Sequence, residues 1–302
     1  MTYKTKARLQ QIALLVPGLA LFGIFNFLPL IGLLGLSLVR WPGIGDAEFV
    51  GLGNFVQLLS EPYYRGQLVN ALAQNLYFFV VIIGSMLVIG TGLALLLSFR
   101  TWGRNTYRAI FFIPYPLAGA AVAFLLNLMV QTRGPINNFL VKGIGVMDQP
   151  IGFLGEPDMA LTTLAVFYSW HRMSFAIILI LSAIIAVRVH LLEAAMLDGA
   201  SRWNTLRAVV FPVLGPAFIL ITVIVMVDVF NNADYTLLLM GPEAGPLRST
   251  DILGTFLFRT SFGGSATSVN INFGMAAAIG LVTAILILPA ALFLSLKNLR
   301  KD

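Results

Sequence analysis

The sequence predicts an all-α, polytopic membrane protein with six transmembrane helices, and three observations carry that prediction. Of 302 residues, 58% are hydrophobic and only 11% charged, against roughly 25% charged in a soluble domain. The mean hydropathy is +0.89, and the 23 phenylalanines run the length of the chain, so a single water-facing core could not hide the apolar residues. Six segments reach the roughly 20 apolar residues needed to cross a bilayer: Ile12–Val39, Asn75–Phe99, Ala109–Val130, Ala160–Ala186, Val213–Met240 and Phe273–Leu296.

The first segment follows Lys4, Lys6 and Arg8, as a signal peptide would. Its apolar run is too long for one and lacks a clear small-residue cleavage site, so it is expected to stay as a span. Across the remaining elements, lysine and arginine alternate in density. Twelve (Lys4, Lys6, Arg8, Arg100, Arg104, Arg108, Arg188, Arg202, Arg207, Lys297, Arg300, Lys301) fall on one side and six (Arg40, Arg65, Arg133, Lys142, Arg248, Arg259) on the other. The positive-inside rule puts both termini in the cytoplasm. The outer loops, near 41–74, 131–159 and 241–272, have room for short interfacial helices but not for a separate domain, so residues 1–302 read as one permeating unit without repeats.

Composition also excludes chemistry. The chain has 0 Cys and 2 His, which leaves no thiolate site, no disulfide and little from which to build a zinc or copper centre. The net charge of +6 comes without any basic run of the kind that tracks nucleic-acid phosphates.

Between the fourth and fifth spans the chain reads Arg188-Val-His-Leu-Leu-Glu-Ala-Ala-Met-Leu-Asp-Gly-Ala-Ser-Arg-Trp-Asn-Thr-Leu-Arg-Ala-Val-Val-Phe-Pro212. Leu192, Ala195, Met196 and Gly199 recur at helical spacing. They predict a short amphipathic helix, which Gly199 ends in a left-handed cap or opens to a partner's close approach. Trp203 and Leu206 add an apolar patch beside Arg202 and Arg207, and Pro212 opens the next span where a missing N–H costs little. An amphipathic loop resting on anionic lipid would need no fixed spacing, and Glu193 would work against it.

Glu193-Ala194-Ala195, Gly199 and Pro212 match, gap for gap, the EAA loop of binding-protein-dependent ATP-binding-cassette importer permeases, a family this chain resembles. Val209 and Phe211 replace that pattern's Ile and Leu. Phe49-Val-Gly-Leu-Gly-Asn-Phe55, Tyr107-Arg-Ala-Ile-Phe-Phe-Ile-Pro114, Gly134-Pro-Ile-Asn137 and Asp198-Gly-Ala-Ser201 are similar to the carbohydrate and glycerol-phosphate branch, and the first and third of these to the first of its paired subunits. The resemblance implies a coupling helix around Leu191–Ala200, seated on a separate ATPase subunit. Glu193, Ala194, Ala195, Asp198, Gly199, Arg202 and Pro212 form that contact, with Glu193 as its polar anchor. It also implies a second, homologous permease subunit, two ATPase subunits, an extracytoplasmic solute-binding protein touched by the outer loops, and a bacterial-type inner membrane. The chain has no Gly-x-x-x-x-Gly-Lys-Ser/Thr loop, so ATP and Mg are expected on the partner ATPase, with no catalysis and no cofactor here.

Polar residues inside a membrane mark function more often than decoration. Asp228, Asn231, Asn232 and Tyr235 stand at i, i+3, i+4 and i+7 in the fifth span, predicting one polar helical face. Span four adds Tyr168, Trp170, His171 and Arg172; Arg172 needs a counter-ion, for which Asp228 and Asp234 are candidates. Carboxylates, carboxamides and aromatic rings suit a sugar, and the scarcity of cations near the path favours a neutral di- or oligosaccharide over glycerol phosphate or another anionic derivative. Each of these groups has a plainer reading as a hydrogen bond between helices; Asn127, Met129 and Gln131, at the outer end of span three, are weaker candidates. A stand-alone secondary carrier would leave the Glu193–Pro212 loop unexplained. An intramembrane hydrolase would need Ser169 or Ser174 to pair with His171.

Overall fold

Proline and glycine placement decides where the apolar runs become helices. The computed structural model describes residues 3–98, 104–187, 197–231, 233–264 and 271–299. The expected all-α architecture is present. Five helical stretches among these residues are long and apolar enough to cross a membrane: Ala13–Ser37, Pro62–Ser98, Pro157–Ile185, Trp203–Asn231 and Phe273–Leu294. The first combines α1 (Tyr3–Phe22), a π-turn at Gly23–Phe27 and α2 (Leu28–Ser37). A two-residue hairpin follows, β1 (Val39–Arg40) against β2 (Glu48–Phe49), antiparallel with Val39 opposite Phe49. Then come α3 (Gly53–Ser60) and the long α4 (Pro62–Ser98), which starts thirteen residues before the expected Asn75.

The expected third span, Ala109–Val130, is not one helix. It divides into α5 (Arg104–Phe112) and α6 (Gly119–Val130) around Ile113-Pro-Tyr-Pro-Leu-Ala118. Pro114 and Pro116 each lack an amide N–H and crowd the preceding turn, so the helix stops there. After α7 (Pro135–Asn138), α8 (Pro157–Ile185) runs unbroken as expected. The fifth span departs twice from the sequence reading. It is helical from α9 (Arg202–Thr205) through a π-turn at Leu206–Val210 into α10 (Phe211–Asn231), so Pro212 lies just inside a continuing helix. The π-turn widens the helix next to the residue that cannot donate. The span then ends at Asn231, and a separate α11 (Asp234–Met240) restarts after Ala233, whose φ and ψ are −119° and 9°. Before the last span lies α12 (Leu253–Phe262), and α13 (Phe273–Leu299) follows.

Helix α8 is the hub. Leu164, Ala176, Ile177 and Ile180 on it pack with Ile82 and Met86 of α4, Leu126 of α6 and Ile221 of α10 in the larger core. A smaller core on the predicted outer side joins Leu58 of α3, Leu68 and Ala71 of α4, Leu253 and Phe256 of α12, and Met275 and Ile279 of α13. None of the most apolar stretch of the first span is buried within the chain.

Two buried asparagines of the short sequence motifs turn out to be braces. Asn54 donates from Nδ2 to the Ser37 and Val39 carbonyls, each at 2.8 Å, closing the end of α2. Asn137 donates to the Gln131 and Ile151 carbonyls and accepts from the Ile151 amide, tying together the loop between α6 and α8. Asn272 caps α13 by accepting from the Met275 amide at 3.1 Å. Beside it, Gly274 lies so close to the hairpin that a Cβ would stand 1.7 Å from the Val39 carbonyl oxygen, which requires glycine.

Candidate functional site

The broken third segment creates a need that α8 meets. A proline break leaves carbonyls without their helical donors, and such groups are costly to leave unpaired in hydrocarbon. Ser174 donates its hydroxyl to the Phe111 carbonyl. His171 Nε2 lies 3.2 Å from the Leu117 carbonyl, which can only accept, so Nε2 carries the proton. In the neutral ring Nδ1 is then an acceptor, and the Tyr235 hydroxyl, 2.5 Å away, donates to it. One side chain of α8 thus links the break to α11. The fit also removes the hydrolase reading: the Ser169 hydroxyl donates to the Ala165 carbonyl and Ser174 to Phe111, so neither serine addresses His171.

The second half of the site forms around the next residue of α8, Arg172, and Tyr168 one turn before it. Arg172 Nη2 lies 3.3 Å from Asp228 Oδ2 of α10, so of the two expected counter-ions it is Asp228 that pairs. Tyr168 donates its hydroxyl to the same carboxylate oxygen, and its ring sits 5.8 Å below the guanidinium. Tyr168 and Tyr235 meet edge to face at 5.3 Å, joining both halves into one wall of five side chains from α8, α10 and α11. The pair is only partly covered, with 33% of the Arg172 side chain and 31% of the Asp228 side chain exposed. Arg172 Nε has no hydrogen-bond partner.

The polar face expected along Asp228, Asn231, Asn232 and Tyr235 is corrected by this geometry. Spacing of i, i+3, i+4 and i+7 places residues together only on a continuous helix, and the helix stops at Asn231. Tyr235 instead belongs to α11 and is buried against α8. Asn231 donates back to the Val227 carbonyl and, with Asp234, lines a separate cleft of about 230 Å³ against α12 and α13. Asn232 lies outside the described residues. Trp170 faces away from the wall, into an apolar groove of about 540 Å³ with Ile89, Ile110, Pro114 and Val166. Asn127 and Gln131 border a further cleft with Arg133 and Phe153.

Of the connection between α8 and α9, Glu193, Ala194 and Ala195 lie outside the described residues. Gly199 has φ +69°, the left-handed conformation that its place at the end of a helix calls for. Asp198 is exposed, as are Leu197 (89%) and Trp203 (64%), two apolar side chains left uncovered among the described residues. Ser201 caps the next turn, accepting from the Asn204 amide at 3.3 Å, and Arg202 begins α9.

The sequence reading missed one polar assembly. Arg259 and Asp251, counted only as loop charges, form a sealed ion pair with 2% and 0% side-chain exposure. The guanidinium donates to both Asp251 oxygens at 3.1 and 2.6 Å, to the Pro242 carbonyl at 2.9 Å and to Gln67 Oε1 at 3.2 Å. The signal was present: Asp251, Thr255 and Arg259 stand at i, i+4 and i+8, one face of a helix.

Arg172→Ala is expected to reduce uptake or accumulation of the assembled protein far more than Arg133→Ala. The first strips the half-buried Asp228 of its counter-ion, whereas Arg133 is exposed. Equal, mild effects in a transport assay would take Arg172 out of the site.

A family model described as a binding-protein-dependent transport system inner membrane component matches residues 86–300. The chain is 27% identical to the trehalose/maltose transport system permease protein MalF of Thermococcus litoralis, the alignment covering 100% of this chain and 99% of that protein. It is 27% identical to the lactose transport system permease protein LacF of Rhizobium radiobacter over 82% of this chain and 81% of that one. Among solved structures, a chain of a bacterial ABC transporter that imports the acidic polysaccharide alginate superposes with a TM-score of 0.79 at 24% identity, covering 98% of this chain and 97% of that one.

Proposed function

This chain belongs to the family of inner membrane components of binding-protein-dependent transport systems, and from that premise we propose that it is one of two paired permease subunits of an ATP-driven importer of a neutral di- or oligosaccharide. The observation that carries the reading is the wall of Tyr168, His171, Arg172, Asp228 and Tyr235: an ion pair one-third exposed and backed by the buried Tyr168, His171 and Tyr235, within otherwise apolar helices. A carboxylate and a guanidinium open on one side exchange hydrogen bonds with sugar hydroxyls. The relatives named for trehalose, maltose and lactose transport support a sugar as cargo.

In this reading both termini are cytoplasmic and α5 and α6 together make a sixth crossing. Leu197 and Trp203 form the apolar part of the surface that docks on the ATPase, with Glu193 its polar anchor. ATP and Mg bind on that partner, and closure of two ATPase subunits around nucleotide pushes the loop and, through the continuous helix from Arg202 to Asn231, the polar wall. The outer loops meet the solute-binding protein. Tagged protein solubilised from its native membrane is expected to bring down an ATPase and a second, homologous permease. A homo-oligomer without an ATPase would favour a secondary carrier instead.

A further inference from the structure

We propose that the Arg172–Asp228 pair is a charge filter, passing neutral sugars and turning away those that carry a carboxylate or phosphate. The proposal rests on the reading of the polar wall as part of the substrate path. Arg172 is the only lysine or arginine within the six apolar segments. A guanidinium is the strongest receptor a protein has for carboxylates and phosphates, because its fork of donors matches theirs. Left alone, Arg172 would make the path select anions.

Asp228 prevents this by occupying Arg172 Nη2 at 3.3 Å. It is held in place from the other side by the Tyr168 hydroxyl, and the Tyr168 ring braces the guanidinium at 5.8 Å. The nearest further charge on the same stretch, Asp234 at the start of α11, is another carboxylate and adds no positive excess. An anionic sugar approaching the pair must therefore displace Asp228 or stand beside it, and like charge in a site poor in water is costly.

The protein contains its own control for a structural role. The Arg259–Asp251 pair is sealed and its guanidinium engages three partners, as a group that only holds helices together should. Arg172–Asp228 is one-third open on both sides. A pair built only for cohesion gains from enclosure, and this one is displayed.

The test uses proteoliposomes carrying the complete importer with its cytoplasmic side facing the lumen, ATP inside and the loaded binding protein outside. Glucose, glucuronate or glucosamine sealed in the lumen reaches the path without passing through the binding protein, and each is scored by its inhibition of uptake. In the wild type, glucuronate is expected to inhibit no better than glucose. Asp228→Asn should move the glucuronate-to-glucose ratio of inhibition roughly tenfold or more toward glucuronate. Arg172→Gln should move selectivity the opposite way, toward cationic glucosamine, and supplies an independent test if Asp228→Asn fails to assemble. The double variant should restore the wild-type ratio. Unmoved ratios in both single variants, with glucose still inhibiting, would overturn the filter and leave the path reading standing. Loss of inhibition by every luminal sugar in the wild type would overturn both.

Discussion

Asp251→Ala is expected to lower stability by roughly 3–5 kcal/mol, enough to remove most folded protein from the membrane. The figure follows from leaving the Arg259 guanidinium buried without its counter-ion. Arg259 has 2% of its side chain exposed, and the two remaining acceptors, the Pro242 carbonyl and Gln67, carry no charge. Water cannot repair the loss, because the ion pair is enclosed by α4, α12 and the loop after α11. Replacing both partners at once, with Arg259→Met and Asp251→Ala, should cost markedly less, since no charge is then left in the interior. Thermal unfolding of the purified protein in detergent, followed by size-exclusion of the surviving fraction, reads both. A wild-type midpoint for Asp251→Ala would show that the pair contributes nothing.

The second large effect is expected at the α8–α9 connection. Gly199→Trp places a large side chain on a backbone with φ +69°, where side chains other than glycine's are strained by about 1 kcal/mol or more, and on the surface proposed to meet the ATPase. Among the described residues nothing stands within 4 Å of a Cβ at Gly199, so insertion and folding should survive while uptake is abolished and the ATPase dissociates more readily. Glu193→Lys, which reverses the charge of the proposed anchor, should act the same way. Uptake retained by both variants, measured beside their membrane content, would remove the docking role.

Where the sequence was legible, one local rule dominated. Long apolar runs gave α8 and α13 almost to the residue, because within hydrocarbon a helix is the default unless something breaks it. Arg172 announced its need for a counter-ion, and Asp228 was among the few groups that could meet it. The misreadings that move the site lie where a break competes with apolarity. Pro114-Tyr-Pro116 was hidden inside a run hydrophobic enough to span, and the stop after Asn231 carries no proline to signal it. The consequence for the site was direct: Tyr235, expected on the face of Asp228, reaches the wall from another helix. His171 and Ser174 could be recognised as polar, yet their targets are backbone carbonyls exposed only by the break. The Asp251-x-x-x-Thr255-x-x-x-Arg259 spacing was readable but masked by its place in a loop.

The two cores have different schedules in a chain that is made and inserted from its N-terminus. Every helix that supplies the larger core precedes α12, so that core can close while the ribosome is still at work. The smaller one cannot: Leu58, Leu68 and Ala71 wait for Phe256 and then for Met275 and Ile279 of the last span. Until α13 arrives, the Asn54 brace is complete but the hairpin lacks its second support, since the Trp41 carbonyl takes its donor from Phe273 and the Trp41 amide donates to Asn272. A nascent chain stalled short of residue 273 would therefore carry one finished core and one still open.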